Sequence, residues 1–254
     1  MKELNQPHTI KTVDPLNMEN MTIENKSSAL RYLMFLTKKR IGRIKARGCA
    51  DYSKQREYMT KEETYAPTVS AEALMISCLI YAKVGRDVAT IDIPGAFMHA
   101  DMKDEVNMKL EVSMADLFAK IDPQLYEESL TMKNGKKVLY VRLKKALYGT
   151  VQTTLLFYYN LFGNLKEWGF ELNSYDTCVA NMKMYGKQCT ILWHNDDLNI
   201  SRVDSNFLDS IIKIFDEESD IYARLTATRG KIHNYLGMVV DYTTQGKVVF
   251  TMFD

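Results

Sequence analysis

The chain is poor in the residues that build thiol or zinc frameworks. It holds 4 cysteines and 4 histidines in 254 residues. Cys49, Cys78, Cys178 and Cys189 never fall at CxxC spacing, and His99, His194 and His233 are not grouped with them as a zinc site requires. The cysteines therefore read as reduced thiols of an intracellular protein. No apolar run approaches the roughly 18 residues of a membrane span, and the polar N-terminus carries no signal peptide. Internal repeats and low-complexity tracts are absent, as are an Asp-Ser/Thr-Gly protease signature and a His-His-Cys-Cys zinc spacing. Strong net charge is missing too: 33 Lys and Arg against 32 Asp and Glu leave +1, so no global basic field announces a polyanion.

What remains is globular material, 46% hydrophobic and 26% charged, enough for a sizeable core. The charge is uneven. Arg31, Lys38, Lys39, Arg40, Arg43, Lys45, Arg47, Lys54 and Arg56 stand against a single acid, Asp51. Such a segment is either a solvated face or a local patch for a polyanion. Residues 1–27 are polar and read as an N-terminal arm or linker. Ser28–Leu36 reads as a short helix, Lys38–Arg47 as a basic hairpin around Gly42, and Tyr52–Val69 as irregular.

Ser70 is an N-cap for a helix ending at Gly85, with Leu74, Met75, Cys78, Leu79 and Ala82 on its inner face. A strand from Asp87 to Ile93 follows, then an acidic mixed region with an Asn134-Gly135 turn, and a strand from Val138 to Leu143. Next come a helix from Thr153 to Trp168 and strands Cys178–Met184 and Cys189–His194. Beyond them lie a strand Leu198–Arg202, a helix capped by Ser205, and strands Leu236–Tyr242 and Val248–Phe253. The order from Asp87 onward predicts an α+β protein with a split βαβ, ferredoxin-like sheet bearing helices on one face.

Two features carry chemistry. Asn195-Asp196-Asp197 interrupts an apolar alternation and reads as a hairpin tip with two adjacent carboxylates. Like charges held together favour a cation, so the tip is a candidate divalent-metal site; an ordinary polar turn explains the same residues. Asp92 ends an apolar strand, where a poorly solvated acid tends to have a partner. In a split βαβ sheet the first and third strands are neighbours, which would bring Asp92 to the Asp196-Asp197 tip. Three carboxylates there suit two divalent cations for phosphoryl transfer.

Six motifs occur in order: Lys45-Ala46-Arg47-Gly48, Tyr65-Ala66-Pro67-Thr68-Val69, Asp92-Ile93-Pro94-Gly95-Ala96-Phe97, Leu147-Tyr148-Gly149-Thr150-Val151-Gln152, His194-Asn195-Asp196-Asp197 and Tyr235-Leu236-Gly237-Met238. Over residues 28–254 the chain resembles the reverse transcriptase domain of Copia-type LTR retrotransposon polyproteins. The resemblance implies right-hand polymerase fingers and palm over residues 28–254, with a thumb missing or cut short. It implies an RNA-directed DNA polymerase that adds dNTPs to a primer 3′-OH with two Mg²⁺ ions, for which Mn²⁺ can substitute.

Laid on this sequence, the resemblance makes Asp92 and Asp196 the main metal ligands, with Asp197 beside them. Phe97 matches the aromatic ring under the incoming sugar, where a ribose 2′-OH finds no room. Gln152 matches the glutamine that contacts the incoming nucleotide, and Gly149 allows close backbone approach. Lys45 and Arg47 match the cations that hold the triphosphate. Lys231 is a candidate general acid for pyrophosphate, or a surface lysine. Template-primer and dNTPs are the implied partners, with no membrane, alongside protease, integrase and RNase H segments of a polyprotein. The implied place is the cytoplasm, within virus-like particles.

The pattern departs at His194, where Tyr is usual, at Asn195, where an apolar residue is usual, and at Thr153-Thr154-Leu155, where Ala-Pro-Arg is common. No metal ligand is lost. Besides a polymerase, these residues allow a decayed remnant that only binds nucleic acid through its basic segment, or another two-metal enzyme such as a nuclease.

Overall fold

A computed structural model describes residues 2–38, 42, 44–53, 60, 64–150, 152–218 and 225–252. Lys39, Arg40, Arg43, Lys54 and Arg56 of the basic segment, Val151 of the Leu-Tyr-Gly motif, and Phe253 lie outside the described residues. In chain order the elements are α1 (Lys2–Thr9), β1 (Val13–Leu16), α2 (Ile23–Ser28), β2 (Leu30–Lys38), β3 (Ile44–Ala50), α3 (Ala71–Val84) and β4 (Asp87–Asp92). They continue with β5 (Asp101–Glu111), α4 (Ser113–Ile121), α5 (Pro123–Tyr126), β6 (Leu130–Lys133), β7 (Lys136–Lys145), α6 (Thr153–Glu167) and β8 (Glu171–Leu172). The last are β9 (Val179–Met184), β10 (Lys187–His194), β11 (Asp197–Arg202), α7 (Ser205–Glu218), β12 (Thr226–Arg229), β13 (Ile232–Tyr235), β14 (Met238–Asp241) and β15 (Val249–Met252). The architecture is mixed α and β, and the chain forms two compact units: Met1–Tyr65 with Phe97–Phe157, and Ala66–Ala96 with Tyr158–Asp254.

The first unit is built on a sheet of order β1-β7-β5-β2-β3, with β6 also on β7. Strand β7 forms because Val138, Leu139, Tyr140, Val141 and Leu143 supply a nearly continuous apolar run between charged ends. Its antiparallel partner β5 brings Met108 and Leu110 to the same core, which Phe118 and Tyr126 close. Where a short helix is expected over Ser28–Leu36, Ser28 instead ends α2 and residues 30–36 lie in strand β2. Leu30 and Tyr32 are buried around exposed Arg31, a period of two, and Leu30 pairs with Met108. The expected basic hairpin forms from β2 and β3, with Lys38 opposite Ile44.

Residues 1–27 hold more order than their polarity suggests. Strand β1 pairs with β7 from Val13↔Leu143 to Leu16↔Tyr140, and Ile10 and Val13 join the core. A few well-placed apolar residues suffice when a neighbouring strand edge offers backbone partners.

The second unit has a sheet of order β12-β4-β11-β10-β9-β8 and a small sheet β13-β14-β15. The Ser70 cap is as expected: its Oγ accepts from the Ala73 N–H, and Gly85 closes α3 at φ 71°. The inner face differs. Leu74, Ser77, Cys78, Tyr81 and Ala82 are buried, whereas Met75 and Leu79 face outward. Between Glu72 and Lys83 the helix carries apolar residues on both sides, so periodicity alone did not say which side would be covered. Asp204, not Ser205, caps α7 by accepting from the Asn206 and Phe207 N–H groups. Leu236-Gly237 does not begin a strand. Both residues have positive φ, 50° and 77°, and turn β13 into β14. Among the described residues no helix is long and apolar enough to cross a membrane.

Leu139 is fully buried and Met132 is 63% exposed, both on paired strands of the first unit. Leu139→Ala is expected to cost about 2–5 kcal/mol in urea unfolding, and Met132→Ala less than about 0.5 kcal/mol.

Candidate active site

The acidic tip is a hairpin, as its sequence predicts. β10 and β11 pair from Thr190↔Ser201 to His194↔Asp197, leaving Asn195-Asp196 as the two-residue turn. Asn195 adopts φ 54°. Asn is among the residues that accept this left-handed conformation, so the turn itself accounts for Asn195. Its side-chain amide also donates toward His194 Nδ1, at 3.4 Å.

Asp92 and Asp197 meet across the sheet. β4 and β11 are antiparallel neighbours in the register Asp197↔Asp92, and Thr226 of β12 flanks Asp92 on its other side. Residues opposite each other in an antiparallel pair share a face, so both carboxylates stand on one side of the sheet, with Asp196 one residue before Asp197. Asp92 is exposed rather than poorly solvated. The Asp197 carboxyl is shifted upward, first by desolvation and then by the charges of Asp196 and Asp92, with His194 opposing. That mutual repulsion is what a bound cation would relieve, and hard carboxylate oxygens suit a magnesium-like ion. Among the described residues, no group of three or more His, Cys, Asp or Glu side chains is placed to hold a metal ion.

The hairpin is braced from the small sheet. The hydroxyl of buried Tyr235 donates to the Asp197 main-chain carbonyl at 3.0 Å. Below it, Thr90 of β4 contacts His233 Nδ1 at 3.4 Å, and His233 Nε2 donates to the Gly230 carbonyl at 2.9 Å. Asp176 ties the helix that precedes β4, accepting from the Ser70 N–H at 2.8 Å and from its hydroxyl at 2.9 Å. Lys231 is exposed just before β13, its carbonyl accepting from the Tyr242 N–H at 2.7 Å. Sequence reasoning missed the Tyr235 hydroxyl and Asp176. Tyr235 lies in a quoted motif, but its partner is 38 residues away.

The remaining candidates gather in the first unit. The Arg47 guanidinium lies over the Tyr148 ring, 5.1 Å from its centroid. Phe97, buried, meets Tyr148 edge-to-face at 4.9 Å and Phe157 at 5.6 Å. The Ala50 N–H donates to the Tyr148 carbonyl at 2.7 Å. Gly149 is required there: its φ is +87°, and a Cβ would stand 2.2 Å from the Ala50 carbonyl oxygen. Gln152 Nε2 donates to Asp104 at 3.0 Å, and Lys45 is exposed on β3 opposite Thr37. Thr153 has local work, since its hydroxyl donates to the Leu147 carbonyl at 2.7 Å. The structure thus groups Arg47, Phe97 and Gly149 around Tyr148 in one unit, and Asp92, Asp196 and Asp197 in the other.

Tyr235→Phe is expected to lower stability by about 1–2 kcal/mol through the lost bond to Asp197, read by denaturant unfolding. His233 should give the stability a pH slope. Burial depresses its pKa, so the unfolded chain takes up the proton first. Stability is then full above the unfolded value of about 6.5 and is lost as pH falls through the folded value. His233→Gln should flatten that slope in unfolding measured from pH 7.5 to 5.

A sequence model of the family "Reverse transcriptase (RNA-dependent DNA polymerase)" matches residues 24–252. The chain is also 24% identical over 147 residues to the Retrovirus-related Pol polyprotein from transposon TNT 1-94 of Nicotiana tabacum. That match covers 58% of this chain and 9% of the relative's length, so the chain corresponds to a small part of that polyprotein. The chain belongs to the reverse transcriptase (RNA-dependent DNA polymerase) family and is a reverse transcriptase domain of Copia type.

Proposed function

We propose that this chain is the catalytic core of an RNA-directed DNA polymerase, a nucleotidyltransferase that extends a primer 3′-OH with dNTPs on an RNA template. The pairing of Asp92 with Asp197 beside Asp196, in a chain matched to this family along most of its length, carries the reading. The strand order supports a palm assignment for the second unit. β4, β10, β11 and β12 are the first to fourth strands of a split βαβ unit, and they lie side by side as β12-β4-β11-β10. The first unit, with its β2–β3 hairpin, then corresponds to the fingers, with β1 of the N-terminal segment built into its sheet.

Asp92, Asp196 and Asp197 would hold two Mg²⁺ ions, or Mn²⁺ in their place. Such an ion pair lowers the pKa of the attacking hydroxyl and neutralises the departing pyrophosphate. The chain's own side chains position and balance charge. Lys45 and Arg47 hold the triphosphate as charge-assisted donors, Arg47 kept in place by the Tyr148 ring. Gln152 contacts the nucleotide, and the Phe97 ring leaves no space for a 2′-OH. Lys231 gives a proton to pyrophosphate. In the full polyprotein, protease, integrase and RNase H segments accompany this one, in the cytoplasm.

A second reading has its own observation. The departures at Asn195 and Thr153-Thr154-Leu155 suit a remnant that binds nucleic acid without extending it. Primer extension on an RNA template decides. Mg²⁺-dependent extension, lost at least about a thousandfold in Asp196→Asn, is expected. Extension that survives Asp196→Asn removes the ligand role; salt-sensitive binding with no extension by the unaltered chain establishes the remnant. Phosphodiester cleavage without dNTPs would point to a nuclease.

A further inference from the structure

Helix α3 presents apolar side chains on two sides. Its inner stripe, centred on Leu74, Cys78 and Tyr81, is buried against the second unit. Its outer side carries Met75, Ile76, Leu79 and Ile80, exposed at 48, 59, 48 and 44%. Residues three and four apart share a helical face, so these four make one continuous strip. The only charged residues of the helix, Glu72 and Lys83, lie on the same outer side, one at each end of the strip, and both are exposed. Among the described residues neither has an ion-pair partner. Single exposed apolar residues need no explanation, but a contiguous strip bounded by charge marks a contact surface.

We propose that this strip is a homodimer interface, in which α3 packs antiparallel against α3 of a second copy of this chain. The pattern is its own complement. About a two-fold axis through the midpoint between Ser77 and Cys78, Met75 faces Ile80 of the partner subunit and Ile76 faces Leu79 of the partner subunit. Glu72 then faces Lys83 of the partner subunit at both ends. An isologous contact demands this self-complementarity, and no other occupant does. Antiparallel packing sets opposite helix dipole ends side by side, and the terminal charges fix register as flanking charges do in coiled coils. Fourteen residues of helix span about 21 Å, so the contact is at the small end of stable interfaces and its affinity is micromolar.

Sedimentation equilibrium of the full chain from about 1 to about 200 µM tests this. The unaltered chain is expected to show a monomer–dimer equilibrium with a Kd of about 10 µM. Ile76→Glu should raise the Kd at least about a hundredfold. Glu72→Lys and Lys83→Glu should each raise it about tenfold, because each reverses both symmetry-related pairs, and the double reversal should return it to within about threefold of the original. Unchanged thermal unfolding of the variants, all at exposed positions, confirms that they fold. A monomer throughout, which is what a strip covered by a different protein or a lipid surface would give, overturns the proposal. So does a dimer indifferent to Ile76→Glu, or a double reversal as weak as the two single changes combined.

Discussion

The antiparallel pairing of β4 with β11 is the constraint from which the candidate site follows. Side chains alternate across a strand, so register decides which residues share a face, and a slip of one residue would exchange them all. In the register found, Leu198 and Ile91 enter the core together while Asp197 and Asp92 stand together on the opposite face. Burial of Leu198 and Ile91 thereby holds two like charges side by side. Hydrophobic burial is strong enough to impose that proximity, and the Asp197 carboxyl is raised first by its own desolvation and then by the charges of Asp196 and Asp92.

The elements around this pairing limit its freedom. Tyr235 reaches from the small sheet to the Asp197 carbonyl, β12 closes the other side of Asp92, and the turn at Asn195 takes up the one left-handed residue that the hairpin needs. A polar side chain at 195 is therefore explained by backbone geometry without reference to activity. Thr153 is explained in the same way by its bond to the Leu147 carbonyl. Of the three departures from the family pattern, at His194, Asn195 and Thr153-Thr154-Leu155, Asn195 and Thr153 thus each have a local structural reason.

In the first unit the same economy appears around Tyr148. Its carbonyl receives Ala50, its ring receives Arg47 and Phe97, and the following glycine permits the backbone contact that brings them together. Three motifs that are far apart in sequence converge on one aromatic side chain.

Local rules made much of this legible in advance. Turn residues placed the acidic hairpin and the Asn134-Gly135 corner, Ser70 and Gly85 bounded α3, and ordered motifs pointed to the family. These features depend on a residue and its near neighbours, so composition and spacing determine them. Other features were decided only by tertiary partners. Residues 30–36 became a strand because β5 and β3 offered backbone groups on both sides. Helix α3, with apolar residues on both sides, buries Tyr81 and leaves Leu79 exposed according to which side the rest of its unit covers. The Tyr235 bond to Asp197 depends on two hairpins meeting, which no local pattern encodes. By itself the sequence determined which acids exist and where the chain turns. Tertiary structure decided which acids face each other, because strand register is settled by the burial of the residues on the opposite face.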